Sequence, residues 1–231
     1  MSTLTYADYL RMETLLSLQE PRIPETADRA VVLAEQFFII THQSCELWLK
    51  QVGADLSAAA DELMPPCDDH DLELSVEFLT RTSELLRVLH DQLLALEKLP
   101  VGYFAAFRPY LGTASGAQSA QFRQLARLLG RDEYAGSLYQ AFVAAVEYRG
   151  LSVPDVCRLG ARAGVLHRIA EALLEIGNGY WRWKVTHLAL MSKMVGNQEG
   201  TGGSSGADYL ALRITRPFPE LRRIRGRLHE S

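Results

Sequence analysis

His42 and His187 stand where a helix would aim them into apolar surroundings. His42 follows Phe38 by four positions, and His187 is flanked at helical spacing by Trp183, Leu190, Met191 and Met194. Residues three and four apart share a helix face, so each imidazole is expected among these neighbours. One histidine on an apolar face is more often a core residue with satisfied hydrogen bonds than a ligand. Two, on separate helices, weaken that bland reading.

Spacing removes several metal chemistries. A di-iron bundle needs Glu-x-x-His pairs, but the residues three before the six histidines are Ile39, Cys67, Arg87, Gly164, Lys184 and Gly226, none of them acidic. HExxH is absent, and no local group of His with Asp or Glu makes a facial triad. One neutral imidazole among Trp, Leu and Met is compatible with a five-coordinate haem iron. An ordinary Met-rich core has the same pattern.

Arg108 closes the segment FAAFR (104–108) before a turn rich in Gly, Ser and Thr. It reads either as a solvated surface charge or as a planar fork that grips a carboxylate with two parallel hydrogen bonds. The run GTGGSSG (200–206) reads either as a flexible linker or as a loop that closes on a ligand with backbone N–H groups and the Thr201 hydroxyl. It is not a Walker loop, because no Lys follows its last Gly. On residue types alone both pairs of readings stay open.

Helices must position these groups. Gly and Pro cluster at PRIP (21–24), MPP (64–66), KLPVG (98–102), RPYLGTASG (108–116) and VGNQEGTGGSSG (195–206), and between these breaks the apolar period is near 3.6. The clearest stripe runs through Phe38, His42, Cys45, Leu49, Val52, Leu56, Ala59 and Leu63. The pattern predicts helices over about 26–63, 71–98, 161–176 and 179–195, a helical pair over 119–148, and a basic last helix ending near His229. No strand or internal repeat is expected. The predicted architecture is all-α, a single-domain helical bundle over residues 1–231.

Bulk properties narrow the partners. Of the 231 residues 48% are hydrophobic, enough for a sizeable core. The net charge of −4 is spread without long runs of one sign, which offers no footprint for nucleic acid or an acidic membrane. A small-molecule partner is expected. Cys45, Cys67 and Cys157 are odd in number, far apart and free of CxxC, which argues against a disulfide framework or thiolate zinc site and for a reducing compartment. The start, MSTLTYADYLRMETLL, lacks a basic region followed by an apolar stretch, and no apolar segment reaches membrane-span length, so the expected location is cytoplasmic.

Together and in this order, the segments LTYADYLRMETLLSLQ (4–19), FFIITHQSCELWLKQ (37–51), FRPYLGTASGAQSAQFR (107–123) and GTGGSSGADYL (200–210) resemble the tryptophan 2,3-dioxygenase family over nearly the whole chain. The resemblance implies a b-type haem in the bundle, with His187 as the proximal iron ligand. It places Leu111, Ser115, Gly116 and Trp183 beside that cofactor and His42 on the distal side as the catalytic histidine near the indole nitrogen. Phe38 would line the indole pocket, with Phe104 where some members carry a carboxylate-binding tyrosine. Arg108 would bind the substrate carboxylate, and Thr201 the ammonium and carboxylate. Tyr6, Tyr9 and Leu10 match residues that close a neighbouring subunit's pocket, which implies a homo-oligomer, with a tetramer favoured.

The implied activity is insertion of both atoms of O2 across C2–C3 of L-tryptophan or a closely related indole amino acid, giving N-formylkynurenine. The chain departs from the family pattern in three places. Lys184 and Thr186 replace two arginines before His187, Gln198 and Glu199 stand where basic residues are common, and the chain is short. These keep open a second activity, single-oxygen insertion giving an oxindole or hydroxylated product. A haem-binding sensor or carrier is a third reading, disfavoured by retention of both Arg108 and Thr201.

Overall fold

The structure is a computed structural model that describes residues 3–131, 134–196, 198–201, 203 and 206–227. Two short helices, α1 (Tyr6–Leu10) and α2 (Met12–Leu16), precede α3 (Arg29–Glu62), α4 (Asp69–Leu96) and α5 (Val101–Phe107). After two turns of 3-10 helix come α6 (Ala120–Leu129), α7 (Ser137–Tyr148) and α8 (Val153–Leu159). The long α9 (Val165–Val195) and the shorter α10 (Ala207–Ala211) and α11 (Pro219–Arg227) complete the all-α fold.

Local chemistry sets the helix starts. The Asp28 carboxylate accepts from the Ala30 N–H at 2.7 Å and caps α3, while Asp68 and Asp71 form a reciprocal capping box at the start of α4. The buried Glu35 carboxylate accepts the backbone N–H groups of Arg22 and Ile23, both at 2.9 Å, and so fastens the 21–24 segment across α3.

α4 lies between the other two long helices. It runs antiparallel to α3, as Arg81 to Asp55 and Gln92 to Cys45 show, and parallel to α9, as Arg168 to Glu73 and Lys193 to Glu97 show. The larger apolar core joins the C-terminal half of α3 to α4, α6, α7, α8, the N-terminal half of α9 and α11, around Leu56, Leu79, Phe142, Leu173 and Phe218. A second core, with Val31, Leu93, Leu96, Phe104, Phe107 and Leu190, sits at the other end, where the start of α3, the ends of α4 and α9, and α5 meet. The predicted site residues of α3, α5 and α9 belong to that second end.

Two expectations differ from the structure. Gly130–Arg131 and Tyr134–Ala135 form a two-residue antiparallel pair, β1 with β2, too short to carry an alternating pattern. The helices expected over 161–176 and 179–195 are one continuous α9. Gly177 and Gly179 mark close packing there: a Cβ on Gly177 would meet the Arg222 guanidinium at 2.9 Å and the Phe218 ring at 3.3 Å, and one on Gly179 would touch Leu86 at 3.4 Å. Such contacts make glycine useful inside a helix despite its entropic cost. The predicted end near His229 lies outside the described residues, as do Gly202, Ser204 and Ser205 of the loop.

Candidate functional site

His42 reaches the site from α3, and its ring Nδ1 lies 2.7 Å from the Phe38 carbonyl one turn back. A carbonyl can only accept, so the proton of the neutral ring is on Nδ1 and Nε2 is left as an acceptor. The residue is exposed to solvent although protein atoms crowd its ring on most sides, so it is not enclosed as its apolar stripe predicts. This crowding lowers the pKa of His42 against the raising effect of the Phe38 carbonyl.

His187 reaches the same region from α9. Burial, and then the His42 charge, pull its pKa down to about 4, so both imidazoles are neutral near pH 7. Phe38 beside His42 and Trp183 beside His187 pack against one apolar cluster, which brings two histidines 145 positions apart (42 and 187) to the same end of the bundle. The Trp183 ring stacks on His187 with centroids 5.2 Å apart and planes within 5°, and Phe122 lies 5.0 Å from Trp183. Leu190, Met191, Met194 and Leu111 belong to the surrounding apolar cluster.

The residues around His187 fit a haem. Its imidazole is neutral, as an iron ligand must be, and its surroundings are apolar and aromatic. Trp183 Nε1 is buried without a hydrogen-bond partner among the described residues, an open donor that a carboxylate-bearing group would satisfy.

Phe38, Phe104 and Phe107 form an aromatic wall on the His42 side. Phe38 lies 4.0 Å from the His42 ring, 5.9 Å from Phe104 and 5.4 Å from Phe107, and the last two meet edge to face at 5.4 Å. The fully buried Phe107 escaped the sequence reading, although its spacing of three from Phe104 on α5 was a usable sign.

Arg108, at the end of α5, donates to the Glu199 carbonyl, and the Thr201 hydroxyl donates to the Ala114 carbonyl at 2.5 Å. These two bonds bring the 198–201 loop against the turn after α5. Arg108 and Thr201 line a cleft of about 320 Å³ with Ala105, Pro109 and Gly112. Gly206 closes the loop: its φ is +61° and a Cβ would meet the Gln198 carbonyl at 2.5 Å, so only glycine fits.

The remaining predicted residues are placed differently. Ser115 caps the 3-10 turn Gly116–Gln118 that contains Gly116, and this turn is tied to α6 through Arg123. Tyr6, Tyr9 and Leu10 are 75%, 73% and 40% exposed on α1, which packs on α2, so within the chain they close no pocket. The His90 ring on α4 bonds the Thr186 hydroxyl at 3.0 Å, a link to the residue before His187 that no motif announced.

Comparison with known proteins gives a consistent answer. The family described as tryptophan 2,3-dioxygenase matches residues 1–156 and 155–226. A tryptophan 2,3-dioxygenase of Anaeromyxobacter sp. (strain K) is 31% identical, with 98% of this chain and 97% of the relative covered. The similarity to those of Herpetosiphon aurantiacus and Arthrobacter sp. (strain FB24) is 30% and 31%, covering 97% of this chain in each case and 98% and 92% of the relatives. The first alignment runs over 271 positions against 231 residues in the chain, so the relative carries at least 40 residues that this chain lacks. The two matched stretches meet at 155–156, within α8.

Proposed function

Since this chain belongs to the tryptophan 2,3-dioxygenase family, we propose that it is a haem-dependent oxygenase that adds both atoms of O2 across C2–C3 of L-tryptophan, giving N-formylkynurenine. The whole of residues 1–231 then serves as one oxygenase domain. The observation that supports this reading most is that His42 with Phe38 on α3 and His187 with Trp183 on α9 stand around one apolar cluster, at the end of the bundle that also holds the Arg108–Thr201 cleft. The relatives above are named dioxygenases, which favours double over single oxygen insertion.

His187 would hold the iron and the Trp183 N–H would meet an acceptor on the cofactor. The bound haem supplies the activation of O2, which no side chain of this chain can perform. The protein supplies orientation. Arg108 has five N–H donors and gives one group to Glu199, so its remaining donors can grip the substrate carboxylate. The Thr201 oxygen, with its proton directed to Ala114, can accept from the ammonium. Phe38 and Phe104 present an aromatic wall to the indole, and His42 Nε2, an acceptor, can take the indole N–H as a hydrogen bond. Among the described residues no helix is long and apolar enough to cross a membrane.

Two measurements test the proposal. His187→Ala should abolish the normal Soret spectrum of the purified protein, whereas His42→Ala should keep haem and lose turnover. Mass spectrometry of the product formed from tryptophan under isotopically labelled O2 should show two labels. One label, or an unchanged spectrum in His187→Ala, would overturn it.

A further inference from the structure

A groove of about 700 Å³ lies on the other side of α9, between that helix and the segment 216–225. Arg182, on α9, and Arg216 both line it. Arg182 and His187 are five residues apart, a rotation of about 140° beyond one full turn, so the groove face is not the face that carries the iron ligand.

The groove has a graded charge. At one end Glu171 pairs with Arg225, and one turn later Glu175 projects with no ion-pair partner among the described residues. At the other end the groove is lined by three further arginines, Arg182, Arg216 and Arg222, with Arg182 one helical turn after Asn178 on α9. Arg222 is fixed by bonds to Asn178 Oδ1 at 3.0 Å and the Pro217 carbonyl at 3.1 Å, and Gly177 leaves room for it against α9. Arg216 lies over the Trp181 ring at 4.5 Å, and neither it nor Arg182 has a carboxylate within ion-pair distance among the described residues. Burial, and then the neighbouring Arg216 charge, pull the Arg222 pKa below the ordinary arginine range. Along α9, Glu175 and Arg182 are separated by about 10 Å.

One carboxylate is saturated by a single guanidinium fork, whereas three forks match a tetrahedral dianion. The free Glu175 carboxylate would repel a ligand that is anionic throughout and would accept from a hydroxyl or amine. We propose that this groove binds a phosphate monoester whose carbon portion carries hydroxyl or amino donors, with the phosphate held by Arg182, Arg216 and Arg222 and the donor end by Glu175. The volume is within the usual range for a small-ligand site.

Phosphoethanolamine is the probe, titrated into the full chain by calorimetry at fixed ionic strength, with inorganic phosphate and ethanolamine as separate arms. Expected is saturable binding of one equivalent, tighter than inorganic phosphate, with no binding of ethanolamine. Arg182→Gln and Arg216→Gln replace exposed side chains and should keep the helical spectrum and the Soret band while weakening phosphoethanolamine about tenfold or more each. Glu175→Gln should weaken phosphoethanolamine and leave inorganic phosphate unchanged. Absence of saturable binding, or equal binding by the parent and both arginine variants, would overturn the proposal. So would binding to phosphatidylethanolamine vesicles without binding of the free monoester, or an arginine variant that changes only the oligomeric state.

Discussion

At the scale of single residues, the chemistry follows from which atom each side chain has left to offer. His42 gives its proton to a carbonyl and keeps Nε2 as an acceptor; Arg108 gives one N–H group to the loop and keeps the rest. Charge-assisted hydrogen bonds contribute roughly 1.5–3 kcal/mol each, so losing a bidentate pair should weaken tryptophan binding well over tenfold in Arg108→Ala. Arg108→Lys keeps the charge but not the fork, and should be almost as impaired. Titration with tryptamine separates the carboxylate role from loop support. If Arg108 recognises the carboxylate, tryptamine binds the parent poorly and discriminates little between parent and variant. Equal losses for both ligands would reduce Arg108 to a brace for Glu199. The residue types were legible in the sequence, but the Glu199 and Ala114 carbonyls were not, since a backbone acceptor carries no sequence signature.

At the scale of elements, the decisive feature is that α9 is unbroken. It carries His187 on one face and Arg182 on another, and its mid-helix glycines allow Phe218, Arg222 and Leu86 to approach closely. Glycine to alanine in a helix gains up to about 1 kcal/mol by propensity, whereas overpacking a filled core costs about 1–3 kcal/mol. Gly177→Ala should therefore lower the thermal midpoint, because the Phe218 ring at 3.3 Å is fully buried and has little room to shift. Gly179→Ala meets Leu86 at an ordinary contact distance and should be neutral or stabilising. Paired melting curves of the two variants decide this. Dividing this helix into 161–176 and 179–195 was an error of local reasoning: propensity penalises glycine in a helix, and only the neighbouring elements show why it is there.

At the scale of the whole molecule, the N-terminal segment is the part least explained by the single chain. Leu4, Tyr6, Tyr9, Leu16 and Leu18 are each more than half exposed on or beside two helices of five residues, which are too short to be stable by themselves. An apolar surface of this kind is normally covered by a partner. The segment is proposed to dock on a second copy and complete its pocket, in a homo-oligomer with a tetramer favoured. Light scattering should find an oligomer for the full chain and a smaller, less active species after removal of the first twelve residues. A monomer that keeps full activity after this truncation would refute the docking.

The sequence by itself determined the all-α class, because a 3.6-residue apolar period admits no other regular element, and it determined the residue types of the site, because motif order survives where geometry is invisible. It marked Thr201 and Arg108 as candidates, the hydroxyl of a glycine-rich loop and the cation at a helix end, without deciding between a surface and a binding role. Tertiary structure alone decided that His42 and His187 lie at the same end of the bundle, that Arg108 and Thr201 share one cleft, and that the arginines at 182, 216 and 222 line one groove. Those pairings join positions far apart in the chain, and such contacts depend on how helices pack against one another. Local periodicity sets which face of a helix is apolar, but the neighbour against which that face packs is chosen by the whole core.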